Sequence, residues 1–382
     1  MMKVLHICHD FPGSKVHRNL YQELENLGVT QFVYTYFDKD KYFGRNYFKS
    51  GTVQIIYSKI LSKYDRLFYH YKIYKVYKDV KSKIELGDVD IIHAATLFSD
   101  GGVAYQIYKE RHTPYIVSVR NTDVNLFLKM MPHTWQSCKT ILKNAHAIVF
   151  VSEAMKEQFQ SNRFITSFYK EIQNKIIVQP NGIDDFWIDN VQKRMCVNHN
   201  IVYVGVYDKN KNVIKLIKAI KNLSIEYPDI KLTLVGGRGN LKEKIKRISV
   251  NHPKLIVFKG LITDRTELLK IYRQNSIFAM PSFHETFGLV YLEAMSQGLA
   301  CLYTKGQGID QMFSDKIGKA VNPHSLKDII NGLDEILKHR DEYCTDEINF
   351  NSFRWCNIAL SYRNLYFSIL SSIKQAGAHE DC

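Results

Sequence analysis

The sequence predicts an α/β protein of two Rossmann-like, doubly wound parallel-sheet domains that face each other across a cleft. Short apolar runs alternate with helix-length amphipathic segments from one end of the chain to the other. The runs are rich in β-branched residues and almost continuously apolar, which is typical of parallel strands covered on both faces. The alternation restarts after the turn Pro180-Asn181-Gly182, which indicates a second domain.

Twelve strands are predicted, seven before that turn and five after it. They are 4–8, 31–36, 53–57, 90–93, 115–119, 147–151 and 175–178, followed by 201–204, 231–235, 255–258, 277–280 and 300–303. Helices are expected between them, as in 213–220, where apolar residues recur with the helical period. A long amphipathic helix is predicted from Trp355 onward. We expect it to dock on the first domain, giving domains 1–182 plus 355–382 and 183–354.

The composition is that of a soluble globular protein. The 382 residues are 45% hydrophobic and 24% charged, which excludes extensive disorder. No apolar run reaches the roughly 18 residues needed to span a bilayer, and the N-terminus lacks the pattern of a signal peptide. The seven cysteines are scattered without a C-x-x-C pair, which argues against a disulfide framework or a structural zinc site. A cytoplasmic location is therefore expected.

The chain is basic, with 52 Lys and Arg against 38 Asp and Glu, a formal charge of +14. Basic residues are densest over 57–86, where tyrosines and Phe68 are interleaved with them. Such a segment suits an anionic partner, and a basic aromatic face favours the inner surface of the cell membrane. The alternative is a solvated helix whose aromatic residues pack inward. No nucleic-acid-binding motif accompanies the charge, so nucleic acid is not expected as a partner.

The most informative segment begins at Pro281, where the strand 277–280 ends. A helix is predicted to start near Gly288, and its first amides lack intrahelical partners and carry positive partial charge, so this start suits a phosphate or diphosphate. Glu293 lies one turn deeper among apolar neighbours, where its carboxylate needs donors such as ligand hydroxyls. Glu285 stands before the helix and can reach the far side of the phosphates.

The pair Glu285-x7-Glu293 closely resembles the E-x7-E signature of glycosyltransferase family 4 (glycosyl transferases group 1), whose members have the GT-B fold. The resemblance is strongest over 175–325. Other segments resemble the family's motifs in the family's order: Gln179-Pro180-Asn181-Gly182-Ile183-Asp184, Val204-Gly205 with Lys211-Asn212-Val213, Leu234-Val235-Gly236-Gly237, Phe258-Lys259-Gly260 and Gly306-Gln307-Gly308-Ile309.

This resemblance implies a retaining transfer of a sugar from a UDP- or GDP-type nucleotide-sugar to an acceptor hydroxyl. By the resemblance, Glu293 holds the ribose hydroxyls and Glu285 contacts the donor sugar. Lys211 and the amides of Phe287, Gly288, Leu289 and Val290 bind the diphosphate. Fixed dipoles and one cation would stabilise the charge of the leaving group, so no obligatory metal or other cofactor is expected. A lipid-linked or polysaccharide acceptor is expected, as in the assembly of bacterial surface polysaccharide or glycolipid.

Several positions depart from the family pattern. Members commonly carry an arginine where this chain has Val206, which leaves Lys211 as the expected cation, helped by Lys209. Lys211 has the alternative of being a solvated lysine at a helix start.

In the first domain, Arg120 occupies the place of a family histidine. It cannot act as a base, because its guanidinium stays protonated, but it could hold an anionic group. It is assigned to the catalytic site, with Asn121 beside it on the acceptor side.

Two further positions in the first domain are ambiguous. His93 resembles a family histidine on the acceptor side, with a structural hydrogen bond at the end of a strand as the alternative. Gly13 is assigned to donor binding, with a simple turn as the alternative.

Other functions are less well supported by the residues. No G-x-G-x-x-G follows the first strand, which counts against a dinucleotide dehydrogenase. His6 and His9 flank Cys8, but alternation along a strand points the two histidines to opposite faces, so structural roles are favoured over a metal site. The alternatives that stay open are a nucleotide-sugar epimerase or phosphorylase of similar fold, and a sugar-nucleotide-binding protein that has lost transfer.

Overall fold

The computed structural model describes residues 2–66, 68–193, 198–313 and 315–380. The chain divides into two compact units, each built on one parallel sheet with helices. Unit 1 comprises Met1–Val151, Lys156–Gly182 and Trp355–Cys382, and unit 2 comprises Ser152–Met155 and Ile183–Arg354. The predicted α/β class with two parallel sheets is confirmed.

Unit 1 contains a seven-stranded sheet in the order β3-β2-β1-β4-β5-β6-β7, with every pairing parallel. The winding direction reverses between β1 and β4, which are neighbours in the sheet although two strands separate them in sequence. The strands are β1 (Lys3–Ile7), β2 (Thr30–Tyr36), β3 (Val53–Ser58), β4 (Ile91–Ala94), β5 (Tyr115–Val119), β6 (Ala147–Phe150) and β7 (Ile176–Val178).

Unit 2 contains a six-stranded parallel sheet in the order β10-β9-β8-β11-β12-β13. Here the winding reverses between β8 and β11. The strands are β8 (Asn200–Val204), β9 (Lys231–Val235), β10 (Ile256–Gly260), β11 (Ile277–Ala279), β12 (Ala300–Thr304) and β13 (Gly318–Val321). The twelve predicted strands are present, with ends shifted by at most two residues. The edge strand β13 was not predicted, because Gly318 and Lys319 interrupt its apolar character.

The helices are α1 (Lys15–Asn26), α2 (Tyr69–Lys83), α3 (Ser99–Arg111), α4 (Leu128–Met130), α5 (Trp135–Asn144), α6 (Glu153–Gln160), α7 (Arg163–Thr166), α8 (Asp185–Asp189), α9 (Val213–Leu223), α10 (Lys242–Asn251), α11 (Arg265–Arg273), α12 (Leu289–Ser296), α13 (Leu326–Lys338) and α14 (Trp355–Glu380). The longer amphipathic helices follow the apolar periodicity, as in α9, where Val213, Leu216, Ile217 and Ile220 are buried. No helix in the described ranges combines the length and the apolar character needed to cross a bilayer.

The C-terminal helix α14 belongs to unit 1, where it packs beside α1. Its inward residues Trp355, Ile358 and Tyr366 join the same core as Val4 of β1 and Leu20 of α1. The polypeptide therefore leaves unit 1 to form unit 2 and returns to complete the core of unit 1. The beginning and the end of the segment Ile183–Arg354 are joined by a hydrogen bond, in which the Ile183 amide donates to the Phe353 carbonyl over 2.9 Å.

Five of the seven cysteines lie in the described ranges, and all five are free thiols: Cys8, Cys138, Cys301, Cys344 and Cys356. Cys196 and Cys382 lie outside the described residues.

Candidate functional site

The reversal of winding in unit 2 brings together the loops that follow β8 and β11. Parallel strands deliver these loops to the same edge of the sheet. At the reversal, the connections that follow the two neighbouring strands go to opposite faces of the sheet, which leaves space for a ligand between the two loops. Asn210 fastens the loops to each other. Its side chain donates to the His284 carbonyl over 2.9 Å, and its Oδ1 accepts from the His284 amide over 3.0 Å. The Asn210 carbonyl accepts from the Phe283 amide over 2.8 Å.

Helix α12 starts in this loop cluster, one residue after Gly288. Gly288 has φ +80°, and a Cβ built there lies 2.6 Å from a ring carbon of Tyr291, so both backbone and space require glycine. The amides of residues 287–290 have no hydrogen-bond acceptor within the described part of the chain. They therefore leave a cluster of unsatisfied donors with positive partial charge at this helix end.

Glu285 and Lys211 form an ion pair beside this helix start. Lys211 Nζ lies 2.6 Å from Glu285 Oε2, and the two side chains are 21% and 12% exposed. The other carboxylate oxygen of Glu285 accepts from the Thr286 amide over 3.1 Å. Because one acid and one base are held together here, the net charge at the helix end comes from the amides alone.

The loop after β12 supports Glu285 from behind, a contribution that the sequence analysis did not assign. Gln307 Oε1 accepts from the Glu285 amide over 3.1 Å, and the Gly308 amide donates to the Glu285 carbonyl over 3.1 Å. A Cβ built on Gly308 lies 2.9 Å from Glu285 Cγ. The glycines of the turn Gly306–Ile309 were the feature of the sequence that could have predicted this contact, since a turn that approaches another side chain this closely needs glycine.

Glu293 lies on α12 with one hydrogen-bond donor in the described ranges, the Tyr272 hydroxyl at 3.4 Å. Burial raises the pKa of Glu293 to about 7, against a smaller lowering by the Tyr272 hydrogen bond. The charge of Asp184 raises this pKa further and that of Arg265 lowers it. A buried carboxylate with so few donors is costly, so this position favours a ligand that brings its own donors.

The glycine turns after β8 and β9 touch each other. A Cβ on Gly236 would lie 2.1 Å from the Gly205 carbonyl, so the backbone needs glycine there. Val206 is 40% exposed, and its carbonyl accepts from the Tyr203 hydroxyl over 2.7 Å. Lys209 is exposed in the same loop.

In unit 1, Asp123 gathers the loops that follow β4 and β5. Its carboxylate accepts from the amides of Leu97 at 3.1 Å, Phe98 at 3.1 Å and Arg120 at 2.8 Å. Burial raises the pKa of Asp123 to about 6, although these three backbone hydrogen bonds oppose the shift. The Arg120 guanidinium is half-buried and donates to the Ala95 carbonyl over 3.3 Å. Arg120 is therefore fixed at the carboxyl edge of the sheet.

His93 and Asn121 already have hydrogen-bond partners. The two ring nitrogens of His93 lie 2.7 Å from the Tyr366 hydroxyl and 3.1 Å from the Ser118 hydroxyl, inside the core. This geometry favours the structural alternative for His93, whose part on the acceptor side stays a prediction. The side-chain oxygen of Asn121 accepts from the Asn125 side chain, at the start of a π-helical turn over Asp123–Phe127.

Gly13 lies on the wall of a cavity of about 280 Å³ at the carboxyl edge of the unit 1 sheet. A Cβ there would lie 2.5 Å from Asp10 Oδ1, and the Gly13 amide donates to the Asp10 carbonyl over 2.9 Å. His9 lines the same cavity, and its Nδ1 lies 3.1 Å from Asp100 Oδ2. The sequence analysis gave His9 a structural role and did not connect it with Asp100, since 90 residues separate them.

His6 lies apart from His9, as strand alternation predicted. It is buried with its ring centroid 4.0 Å from that of Tyr21, and burial lowers its pKa to about 3. Within the described ranges, no three His, Cys, Asp or Glu side chains are grouped closely enough to hold a metal ion.

In the basic aromatic segment 57–86, some aromatic residues pack inward, as in a solvated helix, and others form an exposed face that could meet an anionic partner. Tyr69 and Tyr77 of α2 pack inward. Four other aromatic residues point outward and are more than half exposed: Tyr64, Phe68, Tyr71 and Tyr74. Lys78 Nζ lies 5.5 Å from the Tyr74 ring centroid, so this outward face is both aromatic and cationic.

Two protein-family models match the chain in adjacent segments. The model described as Glycosyltransferase Family 4 matches residues 13–185, and the model described as Glycosyl transferases group 1 matches residues 198–349. The first covers most of unit 1 before α14, and the second covers almost all of unit 2.

Relatives of similar length exist. An uncharacterised glycosyltransferase of Methanocaldococcus jannaschii is 25% identical over 96% of this chain and 98% of its own length. The capsular polysaccharide biosynthesis glycosyltransferase CapM of Staphylococcus aureus is 25% identical over 53% of this chain and 55% of its own.

Solved structures share the fold. Sucrose-phosphate synthase of Thermosynechococcus elongatus superposes with a TM-score of 0.72 at 18% identity, over 97% of this chain and all of that one. The Anabaena protein HepE, solved in complex with UDP and glucose, gives a TM-score of 0.61 at 15% identity, over 99% of this chain and all of that one. These neighbours identify the architecture as GT-B.

The buried carboxyl of Glu293 predicts a pH-dependent stability. Its folded-state pKa of about 7 exceeds the ordinary value of 4.5, so proton binding favours the folded form. This stabilisation is complete below pH 4.5 and is lost as the pH rises through 7. Glu293→Gln should therefore increase the free energy of unfolding at pH 8 by up to about 3 kcal/mol, which is measured as a higher thermal unfolding midpoint. At pH 4.5 the midpoint should be nearly unchanged.

Glu243→Gln, on the exposed face of α10, is the matched control and should show no such difference between the two pH values. A Glu293→Gln midpoint that is equally shifted at both pH values would contradict the assignment of the raised pKa.

Proposed function

Since the chain belongs to glycosyltransferase family 4 (glycosyl transferases group 1), we propose that it is a retaining hexosyltransferase. It moves a sugar from a UDP- or GDP-type nucleotide-sugar to a hydroxyl of an acceptor. Unit 2 binds the donor, and unit 1 binds the acceptor. No obligatory cofactor takes part, and the nucleotide-sugar is a substrate.

The observation that carries this proposal is the set of unsatisfied amides at the start of α12, beside Lys211, at the reversal point of the unit 2 sheet. Backbone donors at a helix end and one cation together suit a diphosphate. The same groups stabilise the negative charge that develops on the diphosphate as the glycosidic bond breaks, because they are already oriented before the reaction.

Glu293 holds the nucleoside in this proposal. Two ribose hydroxyls would supply the donors that its carboxylate lacks, which repays part of the cost of burying it. The solved neighbour HepE contains UDP, which is consistent with a nucleotide donor in this fold.

Glu285 contacts the donor sugar and stabilises positive charge on its anomeric carbon in the transition state. Without a donor, Lys211 neutralises Glu285 across 2.6 Å. When the diphosphate binds, Lys211 is shared with it, and Glu285 becomes the nearest carboxylate to the sugar. Arg120 and Asn121 of unit 1 serve the acceptor side, whereas donor binding by Gly13 and an acceptor role of His93 stay predictions.

The acceptor is a growing polysaccharide or glycolipid in this proposal. The support is the relative CapM, whose name assigns it to capsular polysaccharide biosynthesis.

Separate changes at Glu285 and Lys211 test the two roles. Glu285→Gln should lower turnover by about 100-fold or more, because the transition state needs the carboxylate. The affinity for UDP or GDP should be kept or rise, because Lys211 loses its acidic partner. Lys211→Ala should weaken binding of the same diphosphate by about 10- to 100-fold, since it removes a charge-assisted hydrogen bond. Calorimetry with UDP and GDP gives the affinities, and release of diphosphate from nucleotide-sugars gives the turnover.

Lys218→Ala, an exposed change on α9, is the matched control and should behave as the unaltered chain. Unchanged turnover in Glu285→Gln would remove this residue from the mechanism. Failure of both UDP and GDP to bind the unaltered chain would overturn the donor assignment.

We further propose that the outward face of α2 contacts the inner face of the cell membrane, where a lipid-linked acceptor lies. Aromatic rings insert at the level of the headgroups and lysines meet lipid phosphates. Tyr71 and Tyr74 are 58% and 56% exposed, and Lys78 is exposed beside them. Lys75 is less available, because it pairs with Asp65 at 3.1 Å.

Flotation with phosphatidylcholine vesicles, with and without phosphatidylglycerol, measures this contact. The unaltered chain should float with the anionic vesicles. The triple variant Lys78→Glu, Tyr71→Ser and Tyr74→Ser should bind them at least about tenfold more weakly. Lys244→Glu on α10 supplies the matched charge change in unit 2. Equal flotation of the triple variant and the control would exclude α2 as the contact.

A further inference from the structure

Unit 1 has a reversal point of its own, between β1 and β4, where His9 in the loop after β1 meets Asp100 in the first turn of α3. His9 Nδ1 lies 3.1 Å from Asp100 Oδ2, and the His9 amide donates to Asp100 Oδ1 over 3.3 Å. Asp100 is fully buried and also accepts from the hydroxyls of Tyr36 and Thr96, each over 2.9 Å. Four contacts therefore fix this carboxylate, and through it the imidazole.

This arrangement leaves one face of His9 for a ligand. Asp100 occupies Nδ1, so Nε2 is the ring nitrogen without a protein partner in the described ranges. The side chain is 37% exposed and lines the cavity of about 280 Å³. A hydroxyl can either donate to Nε2 or accept from it, so a hydroxylated ligand fits both protonation states of the ring.

The rest of the cavity wall is aromatic and acidic. Tyr36, Phe37 and Tyr42 offer ring surfaces, and Asp10 and Asp38 offer carboxylates. Neither carboxylate takes part in an ion pair or accepts a side-chain hydrogen bond in the part of the chain that the structure describes. Apolar ring faces with a few convergent polar groups are typical of a small-molecule site.

The charges of the cavity decide which class of sugar is favoured. Lys72 is the lysine on the wall, and its Nζ donates to the Ser99 hydroxyl over 2.8 Å. Asp65, also on the wall, pairs with Lys75. Lys72 keeps its positive charge in its hydrogen bond, but Asp10 and Asp38 outnumber it. These three groups leave one net negative charge on the wall, which disfavours a phosphate dianion. Sugar hydroxyls, in contrast, donate readily to carboxylates.

We infer that this cavity binds an uncharged acceptor sugar in preference to sugar phosphates, and that His9, positioned by Asp100, forms a hydrogen bond to one hydroxyl of this sugar. The inference rests on the proposed function and names the class of its acceptor. It separates this chain from its structural neighbour sucrose-phosphate synthase, whose name indicates a phosphorylated product. His9 is a binding residue here, and Asp100 a positioning residue.

Saturation-transfer NMR on the full chain, with the methyl glycosides of glucose, galactose and mannose, and with glucose 6-phosphate and fructose 6-phosphate, tests the inference. At least one methyl glycoside should give a signal, and each sugar phosphate should give a weaker one or none. His9→Phe should abolish that signal, and His9→Gln, which keeps a polar atom near the position of Nε2, should restore part of it. His133→Phe, at an exposed histidine of unit 1, is the matched control and should leave the signal unchanged.

A gain of binding tests the charge argument without depending on loss of folding. Asp38→Lys should bind glucose 6-phosphate about tenfold or more better than the unaltered chain, because it replaces repulsion by attraction. The inference is overturned if a sugar phosphate binds the unaltered chain as well as any methyl glycoside, if no methyl glycoside binds, if the signal survives His9→Phe, or if Asp38→Lys gains nothing. Binding of UDP or GDP in parallel keeps this outcome distinct from failure of the proposed donor site.

Discussion

The constraint on which the rest depends is that every strand of a parallel sheet ends at the same edge. Where the winding of the sheet reverses, two neighbouring strands send their chains to opposite faces, and their loops are left with a space between them. Both units have one such point, between β1 and β4 and between β8 and β11. Each of these points carries a hydrogen-bonded pair of ionisable side chains, His9 with Asp100 in unit 1 and Lys211 with Glu285 in unit 2. Both proposed sites therefore lie where the topology leaves room for a ligand.

The sequence predicted most of this architecture because burial on both faces leaves a clear apolar pattern in a parallel strand. The exception, β13, lies at the edge of its sheet and carries Lys319, so that pattern is absent. Within unit 2, the motif around Glu285 and Glu293 was readable because a strand, a loop and a helix start follow one another within about 20 residues. The support of Glu285 by Gln307 and Gly308, and the pairing of His9 with Asp100, were not readable. These contacts join segments that are distant in sequence, and only the folded chain brings them together.

The pairing of Lys211 with Glu285 explains how an acid can stand beside the diphosphate site that we propose. Alone, the Glu285 carboxylate would repel a diphosphate and would be only 12% exposed to the water that could screen it. Lys211 cancels that charge, and Gln307 and Gly308 hold the backbone of Glu285 in place. The carboxylate therefore does not offset the positive partial charge at the start of α12, and in the proposed function it lies close to the donor sugar.

The way in which unit 2 is fastened also affects how such chains diversify. The two ends of its long segment are joined by the hydrogen bond from the Ile183 amide to the Phe353 carbonyl. The final residue, Arg354, forms ion pairs with Asp185 at 3.3 Å and with Asp189. Apart from the segment Ser152–Met155, the unit is one uninterrupted stretch whose ends meet. A recombination event could therefore exchange this stretch as a cassette without cutting the core that α14 completes. Under the proposed division of roles between the units, new donor preferences could be acquired in this way while an old acceptor preference is inherited.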